Sequence, residues 1–370
     1  MTIQRISQID LMKLICAFFV VTIHIVMSYR VQENVISTHV LFLESFLRCC
    51  IPVFFMCSGY FMFSKSHSTK HMYRKLFFNL VFPTLTIVFL LFVFNDFIEN
   101  KKSLLECIQS LSPDNVIAVI QGLLNWNFYD IRNTFYLWFM ISLIKIYIAY
   151  PVLKLLCVNS SERNTIRRLV IFLCGISEIL FPTIEAMSNY TVTLYGYSIF
   201  GDYSFFYILF GYELYLFFQK ETIRKSWSIY GLSAYIAGSL ITYFSTIFID
   251  IGVDNAFDQY FFDYNTLGAF ISGMGLFMFI RNLNISNPIM ISVVSFLGRH
   301  TFVLYLVHYI IIKIMTCYEG MHFLEAHLPR PIFYFISPML CYCLSLLISL
   351  LLWQIKEMAA RFFHHSRTLL

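Results

Sequence analysis

Asp10, Lys13 and His24, all on the first apolar stretch, are of types and spacing that could do chemistry together. At about 100° per helical residue they fall within an arc of roughly 60° on one face. Roughly 16 Å of helix axis separates Lys13 from His24. A cation near one end of such a helix suits an anion, and an imidazole deeper in suits proton transfer. The second apolar stretch carries Glu44 and Arg48 at i,i+4, with Ser58 fourteen residues after Glu44 on nearly the same face. A carboxylate at matching depth could orient or charge-balance the imidazole. The arginine one turn further in could pair with that carboxylate or stabilise a developing negative charge. Arg74, Lys75, Arg299 and His300 add positive charge at the ends of later stretches, where Trp138 and Lys145 share one and Tyr305 and His308 another. Ionisable groups are costly in hydrocarbon, so these belong against protein or a wet cavity. Structural ion pairs and interhelical hydrogen bonds would use the same residue types.

The elements that must position these groups are membrane helices. The chain is 59% hydrophobic and 13% charged, with 41 Phe and 24 Tyr, and its mean hydropathy is +0.71. That is too apolar for a soluble domain, and apolar runs of about twenty residues exclude a porin-like barrel. One all-α, polytopic membrane bundle is expected over residues 1–370, with about ten spans at 9–29, 40–63, 75–95, 135–157, 167–182, 201–219, 227–249, 264–280, 290–312 and 332–353. With the N-terminus in the cytoplasm, sixteen Lys and Arg, Arg167 among them, fall on inner segments and five, Arg30 included, on outer ones, which places both termini inside. The first apolar run has no small-residue cleavage site, so it is expected to stay as a helix.

Outer segments 96–134, with a short surface helix expected at 113–124, 183–200, 250–263 and 313–331 are acidic and Asn-rich. Such a surface could hold carbohydrate or be ordinary solvated loop. The ten cysteines sit mostly inside apolar runs with no metal-ligand spacing, so they read as small hydrophobes and no metal is expected. Basic residues lie in short loops rather than along a groove, which gives no sign of nucleic-acid binding. Ser58-Gly59 allows close helix contact, and Pro83 is expected to kink the third span. Glu178 and Glu213 are further buried-acid candidates, and Lys145 is too deep to reach either surface easily, so it should face inward. No internal repeat is visible, which argues mildly against a secondary transporter.

The ionisable groups therefore sort into two depths. An inner, mostly positive set (Asp10, Lys13, Arg74, Lys75, Arg299, His300) suits a phosphate-bearing molecule. A deeper set (His24, Glu44, Arg48, His308) suits base catalysis. A cytoplasmic molecule with a phosphorylated head and an arm of roughly 15–20 Å would bring its reactive end near His24, and coenzyme A has that shape. A proton or ion path would draw on the same residues.

Five stretches resemble the acyltransferase 3 family of bacterial integral membrane acyltransferases, many of which O-acetylate surface polysaccharides. They are Asp10-Leu11-Met12-Lys13, ten residues and His24; Ile51-Pro52-Val53-Phe54-Phe55 leading to Ser58-Gly59-Tyr60; Tyr73-Arg74-Lys75 through Pro83; Leu137-Trp138-Phe139 with Tyr147 and Pro151; and Leu297-Gly298 with Tyr305-Leu306-Val307-His308. The likeness spans 9–353. Two departures stand out. Lys13 occupies a position where the family usually has Arg, which keeps charge but not the bidentate fork, and Asn79 stands where a second arginine is expected.

The resemblance implies transfer of an acetyl group from acetyl-CoA to a sugar hydroxyl, on a periplasmic polysaccharide or an undecaprenyl-linked precursor, with lipopolysaccharide O-antigen the favoured acceptor. The setting would be a Gram-negative inner membrane, in contact with membrane lipid. His24 would be the base, Glu44 would fix its tautomer and Arg48 would stabilise the oxyanion. Lys13, Arg74, Lys75 and Arg299 would hold donor phosphates, with Asp10 positioning Lys13. Ser58, Trp138, Lys145, Tyr305 and His308 are additional candidates. No extra C-terminal domain is expected, so all chemistry falls to the membrane domain. A transporter or flippase for a lipid-linked glycan is one alternative, an acyltransferase acting on a small molecule or peptide another, and a structural or sensory membrane protein a third.

Overall fold

A computed structural model describes residues 6–32, 35–65, 67–99, 103, 105–106, 117, 121, 134–157, 160–188, 202–220, 225–251 and 259–367. In chain order its α-helices are α1 Ser7–Val26, α2 Thr38–Leu47, α3 Cys50–Met62, α4 Thr69–Leu76, α5 Phe82–Glu99, α6 Trp138–Ile148, α7 Tyr150–Leu156, α8 Ser161–Gly175, α9 Phe181–Met187, α10 Ser204–Lys220, α11 Lys225–Ser245, α12 Leu267–Arg281, α13 Pro288–Leu297, α14 Thr301–Cys317, α15 Gly320–His327 and α16 Arg330–Arg367. Extended pairing among the described residues is confined to a small hairpin, Val31–Gln32 against Val35–Ile36. The chain is the all-α polytopic bundle its composition implies. The surface helix expected at 113–124 and much of the outer segments around it lie outside the described residues.

Six runs are long and apolar enough to cross a bilayer: Ser7–Tyr29, Thr38–Met62, Thr69–Leu91, Ser161–Met187, Lys225–Asp250 and Arg330–Met358. Two bent pairs raise the number to eight, Phe135–Ile148 with Tyr150–Leu156 at 66° and Pro288–Leu297 with Thr301–Cys317 at 58°. The remaining two expected spans are helical but short. α10 has 17 residues and α12 has 15, the latter about 22 Å of axis against a hydrocarbon core of about 30 Å.

Proline chemistry explains where helices break. Pro52 has no N–H to offer the Arg48 carbonyl one turn back, and α2 gives way to α3 at that point. Pro83 and Pro182 each follow a five-residue π-helical stretch, Phe77–Val81 and Ile176–Leu180, in which the ladder re-forms around the missing donor. The break at Arg48 lies beside the deep ionisable groups, so it bears on the site.

The Thr38–Met62 span is 78% buried and Ser7–Tyr29 is half buried, against 22–33% for the other continuous spans. α1, α2 and α3 are therefore the centre of the bundle. Outer helices turn large apolar side chains such as Phe77, Phe89, Phe172, Phe248 and Leu351 outward, as a lipid-facing surface requires. Gly59 of α3 meets α10 at backbone distance, because a Cβ there would lie 2.0 Å from the Ile208 carbonyl oxygen. Gly211 of α10 is packed equally tightly on Met56.

A second device fixes α8 on α10. Arg167, assigned by its sequence position to an inner loop, is fully buried inside the protein. Its Nε donates to Glu213 Oε1 at 2.8 Å, and its other nitrogens donate to the Leu156 carbonyl and to Asn164 Oδ1. Glu213 is thus the carboxylate of a helix-to-helix ion pair.

Overpacking a tight helix contact costs about 1–3 kcal/mol. Gly59→Ala should therefore lower the melting temperature of the detergent-solubilised protein by several degrees. Gly175→Ala should leave it nearly unchanged, since its Cβ would meet only the Phe206 ring, at 3.3 Å. Equal shifts for the two variants would contradict the backbone contact.

Candidate active site

A cavity of about 540 Å³ lies among α1, α3, α4, α6 and the α13–α14 bend. Lys13, Lys75, Arg299 and His67 supply its basic lining, and Phe54, Phe61, Phe139, Leu143 and Phe302 much of its apolar wall. Each cation has a structural reason to be there. Lys13 lies two turns into α1, 3.6 Å from Asp10 and 5.3 Å from the centre of the Phe61 ring, and keeps 29% of its side chain exposed. Asp10 is buried behind it against Gly298, where an added Cβ would come within 2.7 Å of the Asp10 Cβ. The α13–α14 bend can close on α1 because residue 298 is glycine, and that bend carries Arg299.

Lys75 and Arg299 have no ion-pair or hydrogen-bond partner among the described residues, so their charge is available to a ligand. His67, in the link between α3 and α4, is held below its ordinary pKa by burial and then by Lys75, His71, Lys65 and Lys154. Arg74 departs from expectation. It is exposed and not part of the lining, because adjacent helical residues diverge by about 100° and Lys75 takes the inward direction. Asp10 likewise does not line the cavity; it holds Lys13. Asn79 is exposed on the π-helical stretch.

Phe54, Phe139 and Tyr305 are the deepest cavity-lining residues of their helices. Beyond them lies a layer of rings. His24, in the last turn of α1, has its ring centre 5.2 Å from that of His308, with Phe135, Tyr136 and Tyr309 edge-on at 5.8, 6.4 and 5.7 Å. Tyr305 bridges cavity and ring layer. Its ring is 5.5 Å from His308, and its hydroxyl donates to the Tyr136 carbonyl. The Tyr136 hydroxyl in turn donates to the Leu306 carbonyl at 2.8 Å. This tyrosine clasp separates the basic cavity from the histidines.

Glu44 does not orient His24, contrary to the sequence-based expectation. Its carboxylate is fully buried and taken by two arginines. Arg30 Nε donates to Glu44 Oε2 at 2.6 Å, and both Arg30 and Arg48 reach Oε1. Arg30 also donates to Gln259, while Arg48 lies 5.0 Å from the Phe262 ring centre and contacts the Tyr264 hydroxyl. The Nε of Arg48 is buried without a partner.

Sequence reasoning had put Arg30 in an outer loop. The signal it missed is the shortness of the link between the first two spans. Arg30 and Glu44 are fourteen residues apart across a tight hairpin, and the Arg30 carbonyl also receives the Ser37 amide. Tyr136, Tyr309 and Tyr264 were also missed, since nothing in their spacing separates them from packing aromatics.

The other candidates scatter. Trp138 stacks on Tyr264 with ring centres 5.5 Å apart, beside Arg48 rather than in the cavity. Ser58 lines the cavity but its hydroxyl donates back to the Phe54 carbonyl at 2.9 Å. Lys145 is not turned wholly inward. It keeps 42% of its side chain exposed and pairs with Asp202 at 3.6 Å, so it serves the α6–α10 contact.

The arrangement joins an anion-attracting cavity, an enclosed imidazole pair and a buried arginine carrying an unpaired donor. Those are parts for moving a group from an anionic carrier with proton transfer at the far end. No curated protein and no solved structure matches the chain. A family model described as an acyltransferase domain, acyltransferase 3, matches residues 6–354. A match over nearly the whole length, on a bundle with these groups at its centre, places the chain in the acyltransferase 3 family as a multi-pass membrane acyltransferase.

Proposed function

We propose that the protein transfers an acetyl group from cytoplasmic acetyl-CoA to a sugar hydroxyl on the periplasmic side of a bacterial inner membrane. The acceptor is a surface polysaccharide or its undecaprenyl-linked precursor, with lipopolysaccharide O-antigen preferred. The observation that carries this reading is the basic cavity on the same face of α1 as His24, with roughly 16 Å of axis between Lys13 and the imidazole. That length suits a phosphorylated head at Lys13, Lys75 and Arg299 with a thioester arm extending toward the ring layer. The excess of Lys and Arg on segments at this end supports a cytoplasmic opening.

In the reaction His24 takes the proton of the acceptor hydroxyl as its oxygen attacks the thioester carbon. The new C–O bond forms through a tetrahedral oxyanion, the C–S bond breaks, and the proton passes to the departing thiolate. Arg48, held by Glu44 and carrying a free Nε, is the donor best placed to stabilise the oxyanion. Glu44 thereby contributes through the arginines rather than through the imidazole. The tyrosine clasp must open for the thioester to pass, and because its two hydrogen bonds run from side-chain hydroxyls to backbone carbonyls, rotation of Tyr305 and Tyr136 releases it without unwinding a helix.

Purified protein with labelled acetyl-CoA and a glycan acceptor tests the reading, because a flippase transfers no label. His24→Ala should reduce label transfer at least about 100-fold while donor binding is kept. Turnover within twofold of wild type would remove His24 from the base role. Lys75→Ala with Arg299→Ala should raise the KM for acetyl-CoA about tenfold or more, an effect that shrinks as salt is added. Arg74→Ala should change it little, and an equal rise there would contradict the assignment of the lining.

A further inference from the structure

His24 Nδ1 and His308 Nε2 are both buried without a hydrogen-bond partner, on rings whose centres are 5.2 Å apart and tilted by 35°. Two orphaned nitrogens on neighbouring rings are costly unless a water or a ligand serves them. Their protonation states are not independent. His308 Nδ1 contacts the Tyr305 carbonyl, which can only accept, so the proton of this neutral ring sits on Nδ1 and its lone pair on Nε2. His308 is fully enclosed, whereas His24 keeps partial exposure. Glu44, the carboxylate that could have held a proton on His24, is occupied by Arg30 and Arg48.

We infer that His308 is the positioning residue for His24, its Nε2 accepting the Nδ1–H of His24 through one bridging water. This rests on the reading of His24 as the base. A proton held on His24 Nδ1 puts the lone pair on Nε2, the nitrogen of that ring that is not enclosed. The order of donation is then His24 Nδ1–H to the water, the water to His308 Nε2, and His308 Nδ1–H to the Tyr305 carbonyl. A neutral imidazole backed by a carbonyl takes the part that a carboxylate plays in a Ser-His-Asp triad. When His24 Nε2 receives the acceptor proton, the imidazolium keeps its Nδ1–H directed toward His308, whose ring the Tyr305 carbonyl holds in place. Tyr305 lines the donor cavity, so its backbone ties the orientation of the base to the wall that the donor touches.

Nitrogen-15 spectra of histidine-labelled protein in lipid read the tautomer of each ring without donor or acceptor. The expected result is His24 protonated on Nδ1 in the wild type and shifted to Nε2 protonation in His308→Leu. Label transfer should fall about 100-fold in His308→Leu, in kcat rather than in the KM for the donor. His308→Gln, whose side-chain oxygen can still accept, should recover most of the loss. His24 protonated on Nε2 in the wild type would overturn the inference without any variant, which keeps it testable if His308→Leu does not fold. An unchanged His24 tautomer in His308→Leu would also overturn it. A wild-type protein that transfers no acetyl label would instead overturn the donor reading, whatever the spectra show.

Discussion

An imidazole and an ammonium on one face of a membrane helix cannot be turned to hydrocarbon without a cost of several kcal/mol, and that constraint arranges the rest of the molecule. It drives α1 to the centre, where α3 packs on Lys13, α14 packs on His24 and the α13–α14 bend closes on Asp10. The charge that remains at Lys13 opens into a cavity rather than into lipid. The lipid-facing helices are left free to be apolar, and their exposed Phe, Leu and Ile side chains follow from that division.

The same cost explains the Arg30–Glu44–Arg48 cluster. Two guanidinium groups meet on one carboxylate, and Gln259, Tyr264 and the Phe262 ring supply further contacts to them. Breaking such a buried pair costs about 3–5 kcal/mol, since the abandoned charge stays enclosed. The break that Pro52 imposes between α2 and α3 leaves Arg48 at a helix end beside Glu44, with its Nε buried and unpaired among the described residues.

Much of this is legible in the amino-acid sequence, because membrane helices leave a direct signal in length and apolarity. The stripe of Asp10, Lys13 and His24 could be read from helical periodicity, and so could the Glu44–Arg48 pair. Periodicity gives the face of a helix but not its neighbour. Glu44 was accordingly matched to His24 by depth, whereas a tight hairpin hands it to Arg30. Arg74 and Lys75 look equivalent in sequence, yet one residue of rotation puts one in the cavity and the other in solvent. Arg167 reads as a loop cation and proves to be a buried strut to Glu213. His308 was visible as a candidate, but its pairing with His24 depends on how α14 packs against α1.

The account turns on a donor that enters at Lys13, Lys75 and Arg299 and reacts in the ring layer beyond the tyrosine clasp. Reconstituted vesicles of known orientation, given labelled acetyl-CoA on one face only and a glycan acceptor on both, measure this directly. Label should reach the acceptor when the donor is on the face that carries Lys75 and Arg299, and none should appear when it is on the other. Transfer from the opposite face, or no transfer from either, would contradict it.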